Sequence, residues 1–376
     1  MGIYPIQFIT LVILPMLNTI KKYTITLFLS LCIPLSWLYS LIIQVRNLLY
    51  NYSIQKTYIF DRPIISVGNL TIGGTGKTPC IEYLIHLLKQ QCSIIVLSRG
   101  YKRTTTGFIL ASKHDTACSI GDEPYQLYKK FANNAPVKIA VSEDRPKAIN
   151  QLLSLFPGKQ AILLDDAFQQ RRIKPHLNIL LTDFYRPFFR DHVLPAGKLR
   201  EPKQEAKRAD VIMVTKCPEK LSKATQQYFK HHINKYSGHK TIPIFFARIN
   251  YQQPIPLFPV QQTGFSKNIL LITGIANPQP LVNHIKAHYQ LMQHLAFRDH
   301  HIFTPKDIAK ISTVFHGLGA HNKCVLTSEK DSVRLMQPSL QALLKHIPIF
   351  YLPISMELIQ EKQVFDRLMF DVIAYY

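Results

Sequence analysis

Cysteine is scarce in this 376-residue chain, and its spacing argues against two classes of protein. The six cysteines form no Cys-x-x-Cys pair and no zinc-ligand spacing; they are Cys32, Cys80, Cys92, Cys118, Cys217 and Cys324. A disulfide-stapled secreted domain and a structural zinc site are therefore disfavoured. We interpret the cysteines as reduced, mostly buried thiols of a protein whose body lies in the cytosol.

Acidic residues are also scarce, with 23 Asp and Glu against 45 Lys and Arg and a formal net charge of +22. Such a charge suits nucleic acid, but the basic residues are spread along the whole chain. The sequence contains no RNA-binding signature, zinc-finger spacing or basic helix. A protein that rests on anionic phospholipid and handles phosphorylated substrates requires the same sign of field. We therefore expect anionic membrane lipid as a partner, and no nucleic acid.

Charge is absent altogether between Lys22 and Arg46. Residues 23–45 are long enough to cross a hydrocarbon core as a helix, so we predict a membrane helix there. Pro34 and three serines weaken the pattern, and a helix that lies partly in the interface stays an alternative. Removal as a signal peptide is disfavoured because no small-residue cleavage site follows.

Residues 1–22 form an N-terminal extension of uncertain role. The stretch before Lys21 carries no charge but contains Pro5 and Pro15. Two interpretations stay open: a second hydrophobic segment, or a true start at Met16.

Residues 64–79 read IISVGNLTIGGTGKTP, a buried strand followed by a glycine-rich turn and the start of a helix. Small residues let backbone N–H groups converge on an anion, and the helix N-terminus adds its positive dipole end. The usual pattern has glycine where this chain has Thr71, a departure that Gly73 and Gly74 soften. We predict a nucleotide phosphate cradle made by Thr71, Ile72, Gly73, Gly74, Thr75, Gly76, Lys77 and Thr78. Lys77 would reach the outer phosphates, and the Thr78 hydroxyl would bind Mg²⁺.

Asp165 and Asp166 follow a buried strand, at the position that normally supplies the Mg²⁺ carboxylate beside a phosphate cradle. We predict both as metal-associated residues. Adjacent residues of an extended chain point to opposite faces, so which aspartate contacts the ion stays open.

Continuous apolar β-branched runs alternate with helical patterns through the rest of the chain, which is typical of parallel α/β sheets. We predict a doubly wound, mostly parallel sheet over residues 46–242 and a second, smaller α/β lobe over residues 243–376. A proline-rich stretch near residues 239–259 marks the expected boundary. The predicted interior strands are 94–97, 137–141, 161–164, 178–182 and 211–215 in the first lobe, and 269–273, 291–297, 323–327 and 347–352 in the second.

Four loop motifs carry further charges, and each is ambiguous alone. They are SRGY at 98–101, GDEP at 121–124, LPAGKLREP at 194–202 and RDHH at 298–301. Helix capping, first-turn charge or simple solvent exposure explains each of them equally well.

Taken together, the motifs resemble those of the tetraacyldisaccharide 4'-kinases, the membrane-bound kinases of lipid A biosynthesis. The resemblance runs from about Pro34 to about Leu335. Ala167 replaces the glycine that the family commonly has after the two aspartates. In chain order the matching segments are SVGNLTIGGTGKTP, LSRGYKR, GDEP, EDRP, LLDDAFQ, LPAGKLREP, VTK, ITGIANP, FRDHHIFT and TSEKD.

This resemblance implies an ATP- and Mg²⁺-dependent kinase that phosphorylates the 4'-hydroxyl of a tetraacylated glucosamine disaccharide 1-phosphate. It implies an N-terminal helix in the bacterial inner membrane and catalytic domains on the cytoplasmic side, with the site between two α/β lobes. We expect a monomer.

Carried over residue by residue, the resemblance implies Asp122 as the catalytic base, His300 as its partner and Lys77 as the catalytic lysine. Whether His300 or His301 fills the partner role stays open. Substrate contacts are implied for Glu123, Arg99, Tyr101, Arg145, Gln169 and Arg200.

The alternative is a membrane-associated ATPase or GTPase that acts as a regulatory switch. Partitioning ATPases carry a second cradle lysine where this chain has Ile72, which argues against that class. GTPases carry an Asn-Lys-x-Asp motif, and Val214 to Cys217 lacks both its Asn and its Asp. We therefore predict ATP over GTP.

Overall fold

The computed structural model describes residues 14–131, 136–238, 241–258, 264–320 and 322–375, with side chains from Cys32 onward. The strands in chain order are β1 (Ile64–Asn69), β2 (Ser93–Ser98), β3 (Ile109–Leu110), β4 (Val137–Val141), β5 (Gln160–Asp165), β6 (Leu177–Asp183), β7 (Val211–Thr215), β8 (Ile244–Tyr251), β9 (Ile255–Pro256), β10 (Asn268–Thr273), β11 (Gln290–Ala296), β12 (Cys324–Ser328), β13 (Ile349–Leu352) and β14 (Ile354–Leu358).

Helices connect most of these strands. In chain order they are α1 (Leu14–Asn51), α2 (Lys77–Leu88), α3 (Ala117–Ile120), α4 (Asp122–Phe131), α5 (Arg145–Leu155), α6 (Lys223–Asn234), α7 (Gln279–His288), α8 (Pro305–Gly317), α9 (Glu329–Leu335), α10 (Pro338–Leu344) and α11 (Lys362–Ala374).

The larger lobe is built on a nine-stranded sheet with the order β14-β8-β7-β6-β1-β5-β2-β4-β3. Every neighbouring pair is parallel except the two edge pairs, β14 with β8 and β3 with β4. Helices α2, α4 and α11 pack on one face, while α5 and α6 pack on the other. This arrangement confirms the predicted doubly wound, mostly parallel sheet.

Strand β1 lies in the middle of this sheet, between β5 and β6, and is buried along its whole length. The continuous apolar sequences of β1 and β5 follow from helices covering both faces. Parallel neighbours bring their carboxyl ends to one edge, where ligands bind in open α/β sheets. The glycine-rich turn after β1 and Asp165 at the end of β5 therefore lie at the same edge.

The second lobe contains a five-stranded sheet with the order β11-β10-β12-β13-β9, parallel except for β9. Helix α7 packs on one face, and α8 and α10 pack on the other. A small apolar cluster joins the lobes: Val333 of α9 packs with Ile120 and Tyr125 of the larger lobe.

The expected boundary at residues 242 and 243 differs from the strand pairing. Strand β8 pairs with β7, and β14 returns from the second lobe to pair with β8. Helix α11 then packs Phe365 and Met369 into the core beneath α2. Residues 244–251 and 354–374 therefore belong to the larger lobe. Periodicity predicts that a segment is a strand or helix, but it carries no information on which sheet receives it.

Helix α1 runs without interruption from Leu14 to Asn51, beyond both ends of the predicted 23–45 segment. Its part from Cys32 to Asn51 is, by length and composition, apolar enough to cross a membrane. Residues 14–22 of the predicted extension continue this helix, and residues 1–13 lie outside the described residues.

Candidate active site

The turn after β1 has the backbone form of an anion cradle. Gly73 and Gly76 have φ values of +117° and +86°, a region where side chains are strained. Gly76 caps α2, so the helix begins at Lys77 with its free N–H groups facing the turn. The eight predicted cradle residues thus lie on one turn and the first residues of one helix.

Neighbouring strands hold this turn in place. The Thr215 hydroxyl at the end of β7 donates to the Thr75 carbonyl at 2.7 Å, and Asn69 Nδ2 donates to Thr75 Oγ1 at 2.8 Å. The ammonium of Lys216 donates to the Gly74 carbonyl and forms an ion pair with Asp183 at 2.7 Å. These positioning roles were not among the predicted site residues, although Thr215 and Lys216 belong to the VTK segment.

The two aspartates after β5 have different environments. Asp165 is 2% exposed, and burial together with repulsion from Glu123 and Asp166 raises its pKa to about 7. Burial also acts to raise the pKa of Asp166, but the charges of Lys77 and Arg200 outweigh burial and lower it. Arg200 Nη1 lies 3.0 Å from both carboxylate oxygens of Asp166, and Lys77 Nζ lies 3.6 Å from Oδ1.

The donors at this edge fit Mg²⁺ held together with a nucleotide. Within the described ranges no group of three or more His, Cys, Asp and Glu side chains is arranged to hold a metal. Mg²⁺ needs fewer protein ligands, because it is usually held by one or two carboxylates, waters and substrate phosphates. The buried Asp165 Oδ1 has no hydrogen-bond partner among the described atoms, a costly state that a cation would relieve. The Thr78 hydroxyl, at the start of α2, is the second oxygen donor predicted here.

Asp122 and His300 come from different lobes and meet across the cleft. Asp122 is the first residue of α4, and His300 follows β11 in the left-handed conformation with φ +58°. Their Oδ2 and Nδ1 atoms lie 3.0 Å apart. His301 points elsewhere, since its Nε2 lies 3.0 Å from Asp307 in the cap of α8. The geometry therefore favours His300 over His301 as the partner.

Helix α9 supplies two cations that sequence reasoning missed. Arg334 is 2% exposed and lies 2.8 Å from Asp122 Oδ2 through Nε. Lys330 lies 3.0 Å from Glu123 and 3.3 Å from His300 Nε2. Lys330 is part of the TSEKD segment, and Arg334 lies four residues later on the same helix face. That spacing was the available signal.

These contacts favour the ionised form of both acidic residues of α4. Burial alone raises the pKa of Asp122, but hydrogen bonding from His300 and the charge of Arg334 reverse the direction, and the net shift is downward. For Glu123, burial is likewise outweighed by Lys330 and Lys77, so its pKa is lowered. The influence of Lys77 shows that the start of α4 faces the glycine-rich turn.

Two of the predicted substrate-binding residues support the backbone in this structure. Arg145 is buried and donates to the carbonyls of Asp165 at 2.5 Å and Asp166 at 3.3 Å, so it shapes the acidic turn. Gln169 donates to the Asn69 carbonyl at 2.9 Å. Their substrate contacts stay predictions, and a helix-start arginine and a loop glutamine have no sequence signal that separates backbone from ligand contacts.

The other predicted substrate residues lie nearer the open cleft. Tyr101 is 65% exposed, and its ring centroid is 5.6 Å from that of His300. Arg99 is exposed at the end of β2.

The LPAGKLREP segment joins the cradle to helix α1. Its backbone pairs with the turn, because Arg200 N–H donates to the Leu70 carbonyl at 2.7 Å. From the other side, the Ser36 hydroxyl of α1 accepts from Ala196 N–H at 2.9 Å, and Tyr39 donates to the Arg200 carbonyl at 3.0 Å. Glu201 forms an ion pair with Arg46 of α1 at 2.5 Å.

Comparison with known proteins agrees with this geometry. The profile of a family described as tetraacyldisaccharide-1-P 4'-kinase matches residues 28–373. The chain is 40% identical over 357 residues to tetraacyldisaccharide 4'-kinase of Bacteroides thetaiotaomicron, covering 91% of this chain and 92% of that protein. It is 42% identical over 323 residues to the protein of the same name from Parabacteroides distasonis, covering 83% and 85%. The crystal structure of LpxK from Aquifex aeolicus in complex with ATP aligns with a TM-score of 0.69 and 27% identity, over 90% of this chain and 98% of that one.

A phosphate cradle on a central parallel strand, with acidic residues at the next strand end and a second lobe across a cleft, defines a P-loop kinase. The extent and identity of these matches are decisive about the family. The chain belongs to the tetraacyldisaccharide 4'-kinase family, which confirms the resemblance and sets aside the regulatory-switch alternative.

Proposed function

We propose that this protein transfers the γ-phosphoryl group of ATP to the 4'-hydroxyl of a tetraacylated glucosamine disaccharide 1-phosphate. The observation that carries the proposal is the pairing of Asp122 with His300 at 3.0 Å across the cleft, beside the start of α2. Family membership supports both the reaction and the substrate class.

The chemistry requires a base for the sugar hydroxyl. As the oxygen of that hydroxyl bonds to the γ-phosphorus, its proton passes to the Asp122 carboxylate, and the bond to the β–γ bridging oxygen breaks to release ADP. His300 orients the carboxylate from the second lobe. Closure of the two lobes around the sugar would exclude water, which otherwise competes for the phosphoryl group.

Charge on the transferring group needs stabilisation from the cradle side. Lys77 would move from Asp166 to the outer phosphates, leaving Asp166 paired with Arg200 at 3.0 Å. Mg²⁺, when bound by Thr78 and Asp165, would neutralise charge on the phosphates. Preorganised cations in a closed site typically contribute several kcal/mol to the lowering of the barrier.

Helix α1 supports a membrane location. On its described part, Trp37 is 72% exposed, Leu41 57% and Ile42 59%, while Cys32, Ser36 and Asn47 are buried against the protein. An exposed apolar stripe on one face and a docked face on the other suit a helix that inserts into lipid while holding the kinase lobe. We propose that the lobes lie on the cytoplasmic side of the inner membrane, where an acylated substrate and ATP are both accessible.

The test is turnover of a defined substrate by purified full-length protein. Incubation with ATP, Mg²⁺ and the tetraacylated disaccharide 1-phosphate is expected to add one phosphate, detected by mass spectrometry. Asp122→Ala is expected to lower the rate by about a hundredfold or more while ATP binding persists, since general-base catalysis contributes about 10²–10⁴-fold.

Asp371→Asn is the matched control, because Asp371 is exposed on α11 and far along the chain from the dyad. It should retain the wild-type rate. Unchanged turnover by Asp122→Ala would remove Asp122 as the base, and absence of any product with the wild-type protein would contradict the proposed reaction.

A further inference from the structure

Arg334 is the largest of the fully buried side chains in the described part of the protein, and it lies where the lobes meet. Asp331, which is 0% exposed, pairs with its Nη1 at 2.8 Å. The Gly274 carbonyl accepts from the same nitrogen at 3.0 Å. Two acceptors from its own lobe thus fix the guanidinium before it reaches across to α4. A buried cation in this position is costly unless each of its donors has a partner.

All cross-lobe contacts of Arg334 and His300 with Asp122 reach one oxygen. Arg334 Nε and Nη2 lie 2.8 Å and 2.7 Å from Oδ2, and His300 Nδ1 lies 3.0 Å from the same atom. No hydrogen bond within the described ranges reaches Oδ1. The Asp122 side chain keeps 19% of its surface exposed, so the second oxygen has room for a ligand.

The partners of His300 assign its tautomer. Its Nε2 lies 3.3 Å from the ammonium of Lys330, and its Nδ1 lies 3.3 Å from Arg334 Nη2, and both of these cations can only donate. The nearest partner of the ring is the Asp122 carboxylate, 3.0 Å from Nδ1, so this acceptor decides the tautomer. The proton is then on Nδ1, where the ionised Asp122 carboxylate can only accept it. His300 in this arrangement donates to Asp122 and orients it, and Nδ1 has no lone pair with which to take a proton from the base.

We propose that Arg334 is a positioning residue that, with His300, occupies Oδ2 of Asp122 and thereby reserves Oδ1 as the atom that accepts the proton of the sugar hydroxyl. This inference rests on the proposed function. A carboxylate otherwise rotates about its terminal bond, and either oxygen can face the substrate. A planar guanidinium that donates from Nε to Oδ2, with Nη2 in ion-pair contact with the same atom, opposes that rotation, which a point charge such as lysine does less well.

The charged groups around Asp122 determine how far its pKa shifts when Arg334 is removed, and this shift is what the experiment detects. His300 and Arg334 contact Asp122 directly; Lys330 faces it from α9 beyond His300, and Glu123 adjoins it on α4. Arg334 is therefore one of two close groups that lower the pKa of this carboxyl, and loss of one close opposite charge shifts a carboxyl pKa by about 1–3.

The experiment measures kcat and KM for ATP across pH in full-length Arg334→Met and Arg334→Lys. For Arg334→Met we expect kcat to fall about a hundredfold, a loss typical of a misplaced reacting group, with KM for ATP within about twofold of wild type. The acidic limb of the kcat profile should move upward by about one pH unit or more. Arg334→Lys keeps the charge, so its limb should move less although kcat stays low.

Controls separate positioning from folding. Arg367→Met changes an exposed arginine of α11 and should match wild type in rate and profile. Guanidinium added to Arg334→Ala at non-denaturing concentration should restore part of kcat, and it should not stimulate Arg367→Met. A lower kcat in Arg334→Met with an unmoved acidic limb would reduce Arg334 to a structural role and overturn the inference.

The inference and the proposed function fail in different ways. If the wild-type protein phosphorylates the disaccharide but Arg334→Met retains both its kcat and its pH profile, only the inference is overturned. If the wild-type protein yields no phosphorylated disaccharide, the proposed function is overturned, and the inference with it.

Discussion

Lys130 joins the three helices that carry the active site, and the pH response of its cluster can be predicted. It lies on α4, 2.6 Å from Glu82 of α2 and 2.9 Å from Glu329 of α9. Because α2 begins at Lys77 and α4 begins at Asp122, the cluster links the proposed cradle, the proposed base and the second lobe. Its protonation state therefore affects how firmly the lobes are held together.

Burial and repulsion from Glu329 raise the pKa of Glu82 from 4.5 to about 7, even though Lys130 opposes the shift. For Lys130, burial acts downward, but the two carboxylates outweigh it and raise its pKa. The upward pKa shifts of Glu82 and Lys130 are compatible because one ammonium faces two carboxylates and cannot fully neutralise the charge of both. At about 1.4 kcal/mol per pKa unit, the shift of Glu82 corresponds to about 3 kcal/mol.

The sign follows from proton binding. Between pH 4.5 and about 7 the folded protein holds a proton on Glu82 that the unfolded chain releases. The contribution of Glu82 to stability is therefore fully present below pH 4.5 and is lost as pH rises toward 7. Glu82→Gln keeps a neutral side chain throughout. We expect the unfolding free energy of Glu82→Gln relative to wild type to increase by about 3 kcal/mol from about pH 4.5 to about pH 8.

Urea unfolding in detergent, followed by circular dichroism at several pH values in this range, measures that difference. Titrating groups outside this cluster, Asp165 included, are common to both proteins and cancel. Glu219→Gln changes an exposed glutamate and should show a difference from wild type that does not vary with pH. A Glu82→Gln difference equally flat with pH would refute the argument that Glu82 is buried against a second carboxylate.

Three further predictions test the site and the membrane helix. Lys77→Ala should lower transfer by about a hundredfold or more in a coupled assay of ADP release, and a rate within about twofold of wild type would contradict the cradle. His300→Ala should cause a large but incomplete loss of kcat, whereas His301→Ala, which loses its contact with Asp307 and its ring packing on Phe297 and Phe303, should reduce stability more than kcat; the reverse order would exchange their roles. Deletion of the residues before Arg46 should move the protein from the membrane to the soluble fraction on sedimentation, and a truncated form that stays fully membrane-bound would show that another surface anchors it.

Local pattern predicted the fold well where the structure is local. The strand, turn and helix around Lys77 follow from the sequence, because buried parallel strands are continuous apolar runs and the turn requires glycine at positive φ. The assignment of β8, β14 and α11 to the larger lobe did not follow. Their pairing is set by packing against segments far away in the chain, which no periodicity records.

The same distinction between local features and contacts of distant segments applies to the site. Asp122 and His300, separated by 178 positions, were found only through the family resemblance. Arg334 lies 212 positions from Asp122 and follows the matching segment, so its spacing from Lys330 on one helix face was the only signal, and no motif included it. Arg145 was predicted to bind substrate, but its burial and its bonds to two backbone carbonyls are features of the folded acidic turn.

A carboxylate with a lowered pKa is a weaker base, yet the arrangement follows from the reaction. Phosphoryl transfer passes through a loose transition state in most analyses, in which the bond to the nucleophile is little formed and its hydroxyl is still weakly acidic. The base then contributes mainly by orienting the hydroxyl, and it accepts the proton late. Because Arg334 and His300 lower the pKa of Asp122, they favour the ionised form of its carboxylate. Reliable ionisation and a fixed direction of Oδ1 thus matter more for this reaction than a strong base, and both come from contacts made by the second lobe.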